Sequence, residues 1–207
     1  VNIRGLKRMA VDNAPANTVP VPKKAETTGK RIAIIGGGPS GLAAAYYLEL
    51  MGHHAVVFEA KSKLGGMLRY GIPSYRFPRE RLDQDIEVIL STGVEVHLNT
   101  KIGNGEGEVP FNKLREEYDA VYIAIGAHED KKVGIEGEDS KGVISAVEML
   151  GSIGEEVMPD FKDKTVVVIG GGNVAMDCTR SAIRLGAKKV TIAYRRRKSD
   201  MTALPEE

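Results

Sequence analysis

Two glycine-rich strings in the sequence have the spacing that binds the phosphates of a nucleotide. The first, GGGPSG, occupies residues 36–41, and the second, GGGNVA, occupies residues 170–175. In such a string the first glycine allows a tight turn, the second lets the main chain approach a pyrophosphate, and the third lets a helix pack closely on a strand. The helix that follows presents unpaired N–H groups and the positive end of its dipole to the anion. Both strings therefore predict a phosphate site.

The residues that follow the two strings differ in charge. Glu59 lies eighteen residues after Gly41, where a carboxylate can accept hydrogen bonds from both ribose hydroxyls of an adenosine. Arg195, Arg196 and Arg197 follow the second string. Guanidinium groups bind a 2′-phosphate through charge-assisted, often bidentate hydrogen bonds, whereas an acid would repel it. We therefore predict a 2′-phosphate at the second site only; the alternative for the triplet is a solvated basic run.

Each string lies between a predicted strand and a predicted helix. The predicted elements are a strand over 32–35, a helix over 42–50 and a strand over 55–58 in the first unit, and a strand over 165–169, a helix ending at 185 and a strand over 190–194 in the second. A glycine turn without a ligand is the alternative for an isolated string, but this context favours nucleotide binding. The repeat predicts an α/β fold with two Rossmann-like βαβ units, of which the second is truncated.

The rest of the chain suggests a division into three parts. We expect a helix and linker over 1–29, a first nucleotide-binding domain over 30–127 and a partial second one over 128–207. After Glu59 the chain is broken by glycine and proline up to residue 78, which indicates main chain lying against a flat ligand; a long connector with aromatic packing is the alternative. The other predicted elements are helices over 78–92, 111–118 and 143–153, a strand over 94–98 and a buried strand over 119–125.

The composition excludes several classes of function. The 207 residues are 42% hydrophobic and 28% charged, and the net charge of +1 gives no argument for nucleic acid or a membrane surface. No apolar run approaches the ~18 residues of a membrane span. The one cysteine, Cys178, excludes disulfides within the chain and C-x-x-C redox chemistry, and it is expected to be a buried side chain in a cytoplasmic protein.

Three longer strings carry a resemblance to a known family. The strings GGGPSGLAAAYYL, GGMLRYGIPSYRFPRE and VVVIGGGNVAMDCTRSAIRLGAKKVTIAYRRR resemble the small subunit of NADPH-dependent glutamate synthase and its relatives. Those relatives include the flavin- and NADPH-binding part of dihydropyrimidine dehydrogenase and the ferredoxin-linked NADP oxidoreductase subunits. The resemblance implies FAD on the first unit, NADPH on the second, and hydride transfer from nicotinamide to flavin. It also implies a partner subunit or domain that accepts the electrons.

The resemblance also implies which residues contact each cofactor, and it assigns neither a catalytic side chain nor a metal ligand. For the pyrophosphate and adenosine of FAD these are Gly36, Gly38, Pro39, Ser40, Gly41, Glu59, Ala60, Lys61 and the main chain near Ile102. For the flavin side they are Gly66, Met67, Leu68, Gly71 and Ile72, with Ala124 and Gly126 where the chain leaves the first domain. For NADPH they are Gly170, Gly172, Asn173, Val174, Ala175, Arg195 and Arg196.

Two features of the family are absent from the sequence. The upstream cysteines that hold iron–sulfur clusters and the Gly-Asp turn that returns to the flavin are both missing, so we interpret the chain as an internal fragment of a longer reductase. We then expect weak FAD retention and self-association through an exposed strand edge. The alternatives are a nucleotide-binding regulatory or scaffold module without turnover and a ferredoxin-linked NADP oxidoreductase subunit.

Overall fold

The computed structural model describes residues 1–14 and 20–207. The chain begins with helix α1, Ile3–Asn13, whose first turn is capped by the Asn2 side chain accepting from the N–H of Gly5. All residues of α1 are exposed. The helix predicted at the N-terminus is therefore confirmed. The predicted linker lies partly outside the described residues, and residues 20–30 have no regular structure.

A parallel sheet of four strands forms the first half of the molecule. Its strands are β1, Arg31–Ile35, β2, His54–Phe58, β3, Glu95–His97, and β4, Ala120–Ile123. Their order is β3-β2-β1-β4, and all three pairings are parallel. The two central strands, β1 and β2, consist almost entirely of apolar residues because both faces of the sheet are covered.

Helices cover the two faces of this sheet and create two cores. Helices α2, Pro39–Leu50, and α4, Arg79–Leu90, pack on one face around Ile34, Leu42 and Val57. Helix α5, Phe111–Glu117, packs on the other face, where Leu114 contacts a cluster that includes Phe58. A short helix, α3, Met67–Tyr70, interrupts the glycine- and proline-rich segment, where the sequence predicted only a loop.

The prediction that the strand over 119–125 is buried was wrong. Tyr122 and Ile123 in β4 are 42% and 59% exposed, and Ile125 just beyond it is 62% exposed. The strand pairs with β1 along one side only, and no described residue pairs with its other side. Its apolar sequence reflects β propensity, which does not by itself determine how many neighbours a strand has.

The second half of the molecule repeats the strand–turn–helix–strand unit on a smaller scale. Strands β5, Thr165–Ile169, and β6, Lys189–Ala193, pair in parallel over five residues. Helices α6, Ala146–Gly154, and α7, Asn173–Arg184, cover one face of this pair. A 3₁₀ turn, Lys198–Asp200, follows β6. An α/β architecture with parallel pairing is thus confirmed in both halves.

Helix α6 begins three residues later than predicted. The side chain of Ser145 accepts from the N–H groups of Val147 and Glu148, at 3.1 and 3.2 Å, and this cap starts the helix.

Within the described residues, no helix has both the length and the apolar character needed to cross a membrane.

Candidate dinucleotide sites

The first glycine turn connects β1 to α2. Gly36 has a φ of 109°, which favours glycine, and its N–H donates to the carbonyl of Phe58 at 2.8 Å. A Cβ on Gly36 would overlap the carbonyl oxygen of Ala124, and one on Gly41 would overlap that of Gly36. These two glycines are therefore required by the protein's own packing, and the carbonyl group of Ala124 lies against the turn.

Gly38 differs from its neighbours because the fold does not require it to lack a side chain. It is the N-cap of α2, with φ −82° and ψ −176°, a backbone conformation open to any residue. A Cβ there would meet only the Cα of Gly66, at an ordinary contact distance of 3.6 Å. Pro39 and Ser40 beside it are exposed, and Ser40 forms a hydrogen bond of 3.0 Å with the hydroxyl of Tyr122. The turn thus leaves an open cradle in front of the helix N-terminus.

Glu59 connects the end of β2 to the first glycine turn. Its carboxylate accepts from the N–H of Gly37 at 2.7 Å and from the N–H of Lys61 at 2.8 Å, and the residue is only 7% exposed. A carboxylate has about four acceptor positions, so two remain for ribose hydroxyls. Glu59 therefore holds the turn in place, a role that its position in the sequence did not indicate.

The predicted flavin-side segment lies directly against the first glycine turn. Gly66 has a φ of 52°, and a Cβ there would come within 2.7 Å of the Cα of Gly38. The N–H of Gly65 donates to the carbonyl of Gly37 at 2.9 Å. The two segments therefore form adjoining walls of one cleft, which is the arrangement needed for residues of both to contact a single ligand.

The other predicted residues of the first site are distributed around this cleft. The side chain of Leu68 packs against the core that includes Ile34 and Leu42. Gly71 and Ile72 close α3 by donating to the carbonyl of Met67, both at 3.0 Å. Ile102 packs against the core on the opposite face of the sheet. The further predicted residues, Ala60 and Gly126, are exposed, and Gly126 has a φ of 69°.

A cavity of about 340 Å³ lies between the two halves of the molecule. Lys61 and Met67 from the first half line it, facing Val147 and Glu155 from the second. The Lys61 ammonium lies 5.5 Å from the centre of the Tyr70 ring and 3.6 Å from the carboxylate of Glu155. The cavity thus joins the predicted flavin-side segment to the second unit, and it contains two of the residues predicted for the first site.

The second glycine turn repeats the geometry of the first. Gly170 has a φ of 139°, and its N–H donates to the carbonyl of Ala193 at 3.0 Å, as Gly36 does to Phe58. Gly172 is the N-cap of α7 with φ −98° and ψ 177°, close to the values at Gly38. Asn173 and Val174 beside it are exposed.

Ala175 replaces the third glycine of the second turn. The equivalent residue of the first turn is Gly41, where an added Cβ would overlap the carbonyl oxygen of Gly36. In the second turn, even a Cβ added to Gly170 would lie 3.4 Å from the Cβ of Ala175. Ala175 is buried at 7% exposure. The second turn thus has the space for the methyl group that the first turn lacks.

The three consecutive arginines after β6 are not equivalent. Arg197 donates from Nε to the carboxylate of Asp200 at 3.2 Å. Arg195 and Arg196 are exposed and, within the described part of the chain, form no side-chain hydrogen bond or ion pair. Two guanidinium groups are thus available to a ligand beside the second turn, and the third is engaged in the fold.

A segment that the sequence did not assign to a site contacts the second glycine turn. The N–H of Ala203 donates to the carbonyl of Gly171 at 3.0 Å, and the N–H of Leu204 donates to Oδ1 of Asn173 at 3.1 Å. No motif in residues 201–204 signals these contacts, because they depend on where the chain turns after β6.

Polar contacts connect the two glycine units. Tyr75, which follows the flavin-side segment, donates its hydroxyl to Oδ1 of Asp177 on α7 at 3.2 Å, and Arg76 forms an ion pair with the same carboxylate. Burial and the nearby Asp177 raise the pKa of Tyr75 above its usual value. The guanidinium of Arg184 lies 3.9 Å from the centre of the Tyr75 ring. These contacts fix helix α7 against the first unit.

Cys178 is buried, as predicted. It is 3% exposed, and burial together with the charge of Asp177 raises the pKa of its thiol to about 11. A thiol in such surroundings stays protonated near neutral pH and is a poor nucleophile. Thiol chemistry therefore does not contribute to this site.

Comparison with known proteins identifies a matching family and several similar oxidoreductase subunits. Residues 23–206 match the pyridine nucleotide-disulphide oxidoreductase family. The beta subunit of the NADP(+)-dependent formate dehydrogenase of Moorella thermoacetica is 47% identical over 181 residues, covering 86% of this chain and 25% of the relative. The beta subunit of the NADPH-Fe(3+) oxidoreductase of Geobacter sulfurreducens is 42% identical, covering 98% of this chain and 30% of the relative. The small chain of the Escherichia coli glutamate synthase (NADPH) is 40% identical, covering 84% of this chain and 38% of the relative.

Among solved structures, FprA from Mycobacterium tuberculosis in complex with NADPH superimposes with a TM-score of 0.70 at 27% identity, covering 84% of this chain and 45% of FprA. The chain therefore spans between a quarter and about half of the length of these proteins. The resemblance to the glutamate synthase small subunit and its relatives is confirmed by the named relatives. The chain belongs to the pyridine nucleotide-disulphide oxidoreductase family.

Proposed function

We propose that this chain provides the FAD- and NADPH-binding part of an oxidoreductase, in which the nicotinamide delivers a hydride to the flavin and electrons pass on to a partner subunit or domain. The observation that carries this proposal is the pair of glycine turns, which share one geometry but end in opposite charges. The first turn is followed by the buried carboxylate of Glu59, and the second by the exposed guanidinium groups of Arg195 and Arg196.

The residues of the first turn fit FAD. The cradle in front of Gly38 is open, faces the N-terminus of α2 and adjoins Gly66, so a pyrophosphate can approach the main chain there. Glu59 keeps acceptor capacity for a ribose, and the segment that contains Met67 borders the cavity between the units. These residues would bind and orient the dinucleotide, and the chemistry would be supplied by its flavin ring.

The residues of the second turn fit NADPH. Gly172 leaves a similar open position at the N-terminus of α7, and an added Cβ would approach only the hydroxyl of Thr202, at 3.4 Å. Arg195 and Arg196 can bind a 2′-phosphate, which NADH lacks. Hydride transfer depends mainly on the relative orientation of nicotinamide and flavin.

We further propose a division into an N-terminal helix and linker over 1–29, an FAD domain over 30–127 and an NADPH domain over 128–207. The two separate sheets support this division, because two cores flank the first sheet and a third flanks the second. A partner subunit is supported by the relatives, two of which are named as beta subunits. We propose a cytoplasmic location, which agrees with a single, buried, unpaired cysteine.

An anaerobic spectrum tests the proposed function. Because we expect weak FAD retention, the chain is kept in excess FAD without desalting, and we expect the visible flavin bands to bleach on addition of NADPH. Bleaching by NADH should be much slower, because NADH offers no phosphate to the arginines. Free FAD at the same concentration is the control. If the chain binds NADPH but the flavin bands do not bleach faster than those of free FAD, the chain is instead a nucleotide-binding module without turnover.

Replacing Glu59 should affect both folding and FAD binding. Glu59→Ala leaves the N–H groups of Gly37 and Lys61 without their acceptor, so we expect the free energy of unfolding of the apoprotein to fall by about 1–3 kcal/mol. The affinity for FAD should weaken by a further ~1–3 kcal/mol through the lost ribose contacts. Urea denaturation and FAD titration measure the two effects separately.

The exposed carboxylate of Glu95 provides the matched control for this substitution. Its side chain is 41% exposed and pairs with His54 and His97, away from the glycine turn. Glu95→Ala should leave FAD affinity unchanged. Equal FAD affinity in Glu59→Ala and the wild type would show that this carboxylate holds the turn but does not contact the ribose.

A further inference from the structure

Arg79 is the first residue of α4, and its guanidinium extends back to the flavin-side segment. Nη1 donates to the carbonyl of Leu68 at 2.8 Å, and Nη2 donates to the carbonyls of Arg69 and Ile72 at 2.7 and 2.8 Å. The last carbonyl groups of a helix have no partner within it, and α3 is only four residues long. Arg79 therefore supplies the donors that the C-terminal end of α3 lacks.

The surroundings of Arg79 are otherwise unfavourable for a positive charge. The first turn of a helix lies at the positive end of its dipole, where acidic residues are favoured. Burial and the nearby Arg69 guanidinium both lower the pKa of Arg79. Arg69 is itself held by the carbonyl of Leu64 at 2.6 Å and by an ion pair with Asp83. A cation at this position is compensated by the three carbonyl groups that it binds.

The segment that Arg79 holds is the one that faces the first glycine turn. Its N-terminal end contacts that turn through Gly66, and Met67 borders the cavity between the units. At its other end, Arg79 is the one described side chain that donates to the main chain of residues 68–72, through three carbonyls within five residues. Movement of this segment would change the wall of the cleft without changing the glycine turn or Glu59.

From this geometry we propose that Arg79 is a positioning residue for the flavin end of the bound dinucleotide. It fixes the main chain of residues 68–72, so that this segment presents a rigid wall to the isoalloxazine ring. The proposal rests on the proposed function, and it separates two parts of the site. The adenosine and pyrophosphate end depends on Gly38 and Glu59, and the flavin end depends on Arg79.

Lysine cannot replace Arg79 in this role. The planar guanidinium offers two terminal nitrogens with fixed directions, and both are used here. A lysine ammonium is a single nitrogen on a flexible chain and cannot reach three carbonyls from two positions. Arg79→Lys therefore keeps the charge but loosens the segment.

Titration with two ligands tests this proposal by isothermal calorimetry. FAD probes the whole site, and ADP probes only the part bound by the glycine turn and Glu59. We expect Arg79→Lys to weaken FAD binding at least about tenfold and to leave ADP binding unchanged within about twofold. Arg81→Lys is the matched control on the same helix; Arg81 contacts Gln84 and the carbonyl of Val11, and its replacement should change neither affinity.

The outcomes are distinguishable. Equal losses of FAD and ADP affinity would mean that Arg79 supports the fold as a whole, which would overturn the positioning role. Unchanged FAD affinity in Arg79→Lys would also overturn it, while leaving the proposed function intact. A wild-type chain that binds neither ligand would overturn the proposed function and the role of Arg79 together. The visible spectrum of bound FAD gives an independent readout, because a loosened wall should broaden the flavin bands of Arg79→Lys.

Discussion

Gly38→Ala should reduce FAD binding by at least about a hundredfold while leaving the apoprotein as stable as the wild type. The added methyl group would lie 3.6 Å from the Cα of Gly66, an ordinary contact, and the backbone at Gly38 is extended, so the fold accepts an alanine there. The same methyl group would occupy the space through which a pyrophosphate approaches the main chain. Overpacking of a close contact costs about 1–3 kcal/mol, and the lost main-chain hydrogen bonds to a charged group add to it.

The second turn provides the matched control for this prediction. Gly172→Ala places the same methyl group at the equivalent position of the other unit, where a Cβ meets only Thr202. Gly172→Ala should weaken NADPH binding and leave FAD binding unchanged. Gly38→Ala should weaken FAD binding and leave NADPH binding unchanged. Thermal unfolding of both apoproteins checks that the fold is intact. Wild-type flavin retention in Gly38→Ala would contradict the assignment of the first turn.

The double substitution Arg195→Ala and Arg196→Ala should remove the preference for NADPH over NADH. Both side chains are exposed, and they are free of ion pairs in the part of the chain that the structure describes. Charge-assisted hydrogen bonds to a phosphate contribute about 1.5–3 kcal/mol each, reduced by solvent screening at an exposed site. We therefore expect the dissociation constant for NADPH to rise about thirtyfold to a hundredfold, and that for NADH to change less than about threefold.

Arg197 provides the control for these two residues. It is an arginine in the same run, but its guanidinium already pairs with the carboxylate of Asp200. Arg197→Ala should have a small effect on NADPH binding that is similar for NADH. Titrations at low and high salt add a second check, because screening should weaken NADPH binding to the wild type more than to the double variant. Equal losses of NADPH and NADH affinity in the double variant would mean that the arginines form only a solvated face.

Local patterns were sufficient to predict the elements that hold both candidate sites. The strand over 165–169 was predicted with its observed bounds, and β1, α2 and β2 were predicted to within about three residues at each end. These elements depend on short-range features, namely apolar runs and a glycine turn. The same features led to the family, which the relatives confirm.

Local patterns failed where neighbours decide the outcome. The strand β4 has the apolar sequence of a buried strand but lies at the edge of its sheet, with Ile123 more than half exposed. Helix α3 was missed because a four-residue helix has too little periodicity to be recognised, and it is stabilised by Arg79 from the next helix. Burial and the satisfaction of main-chain groups depend on what packs nearby, and that information is spread over the chain.

The sequence by itself determined that two glycine turns exist, that one is followed by an acid and the other by arginines, and that each precedes a helix. Only the tertiary structure decided that Gly66 lies against Gly38, that Glu59 holds the first turn, and that Arg197 pairs with Asp200. Turns and helices arise from interactions over a few residues. The walls of a cleft arise from contacts between residues far apart in the chain, which are set by the packing of whole elements.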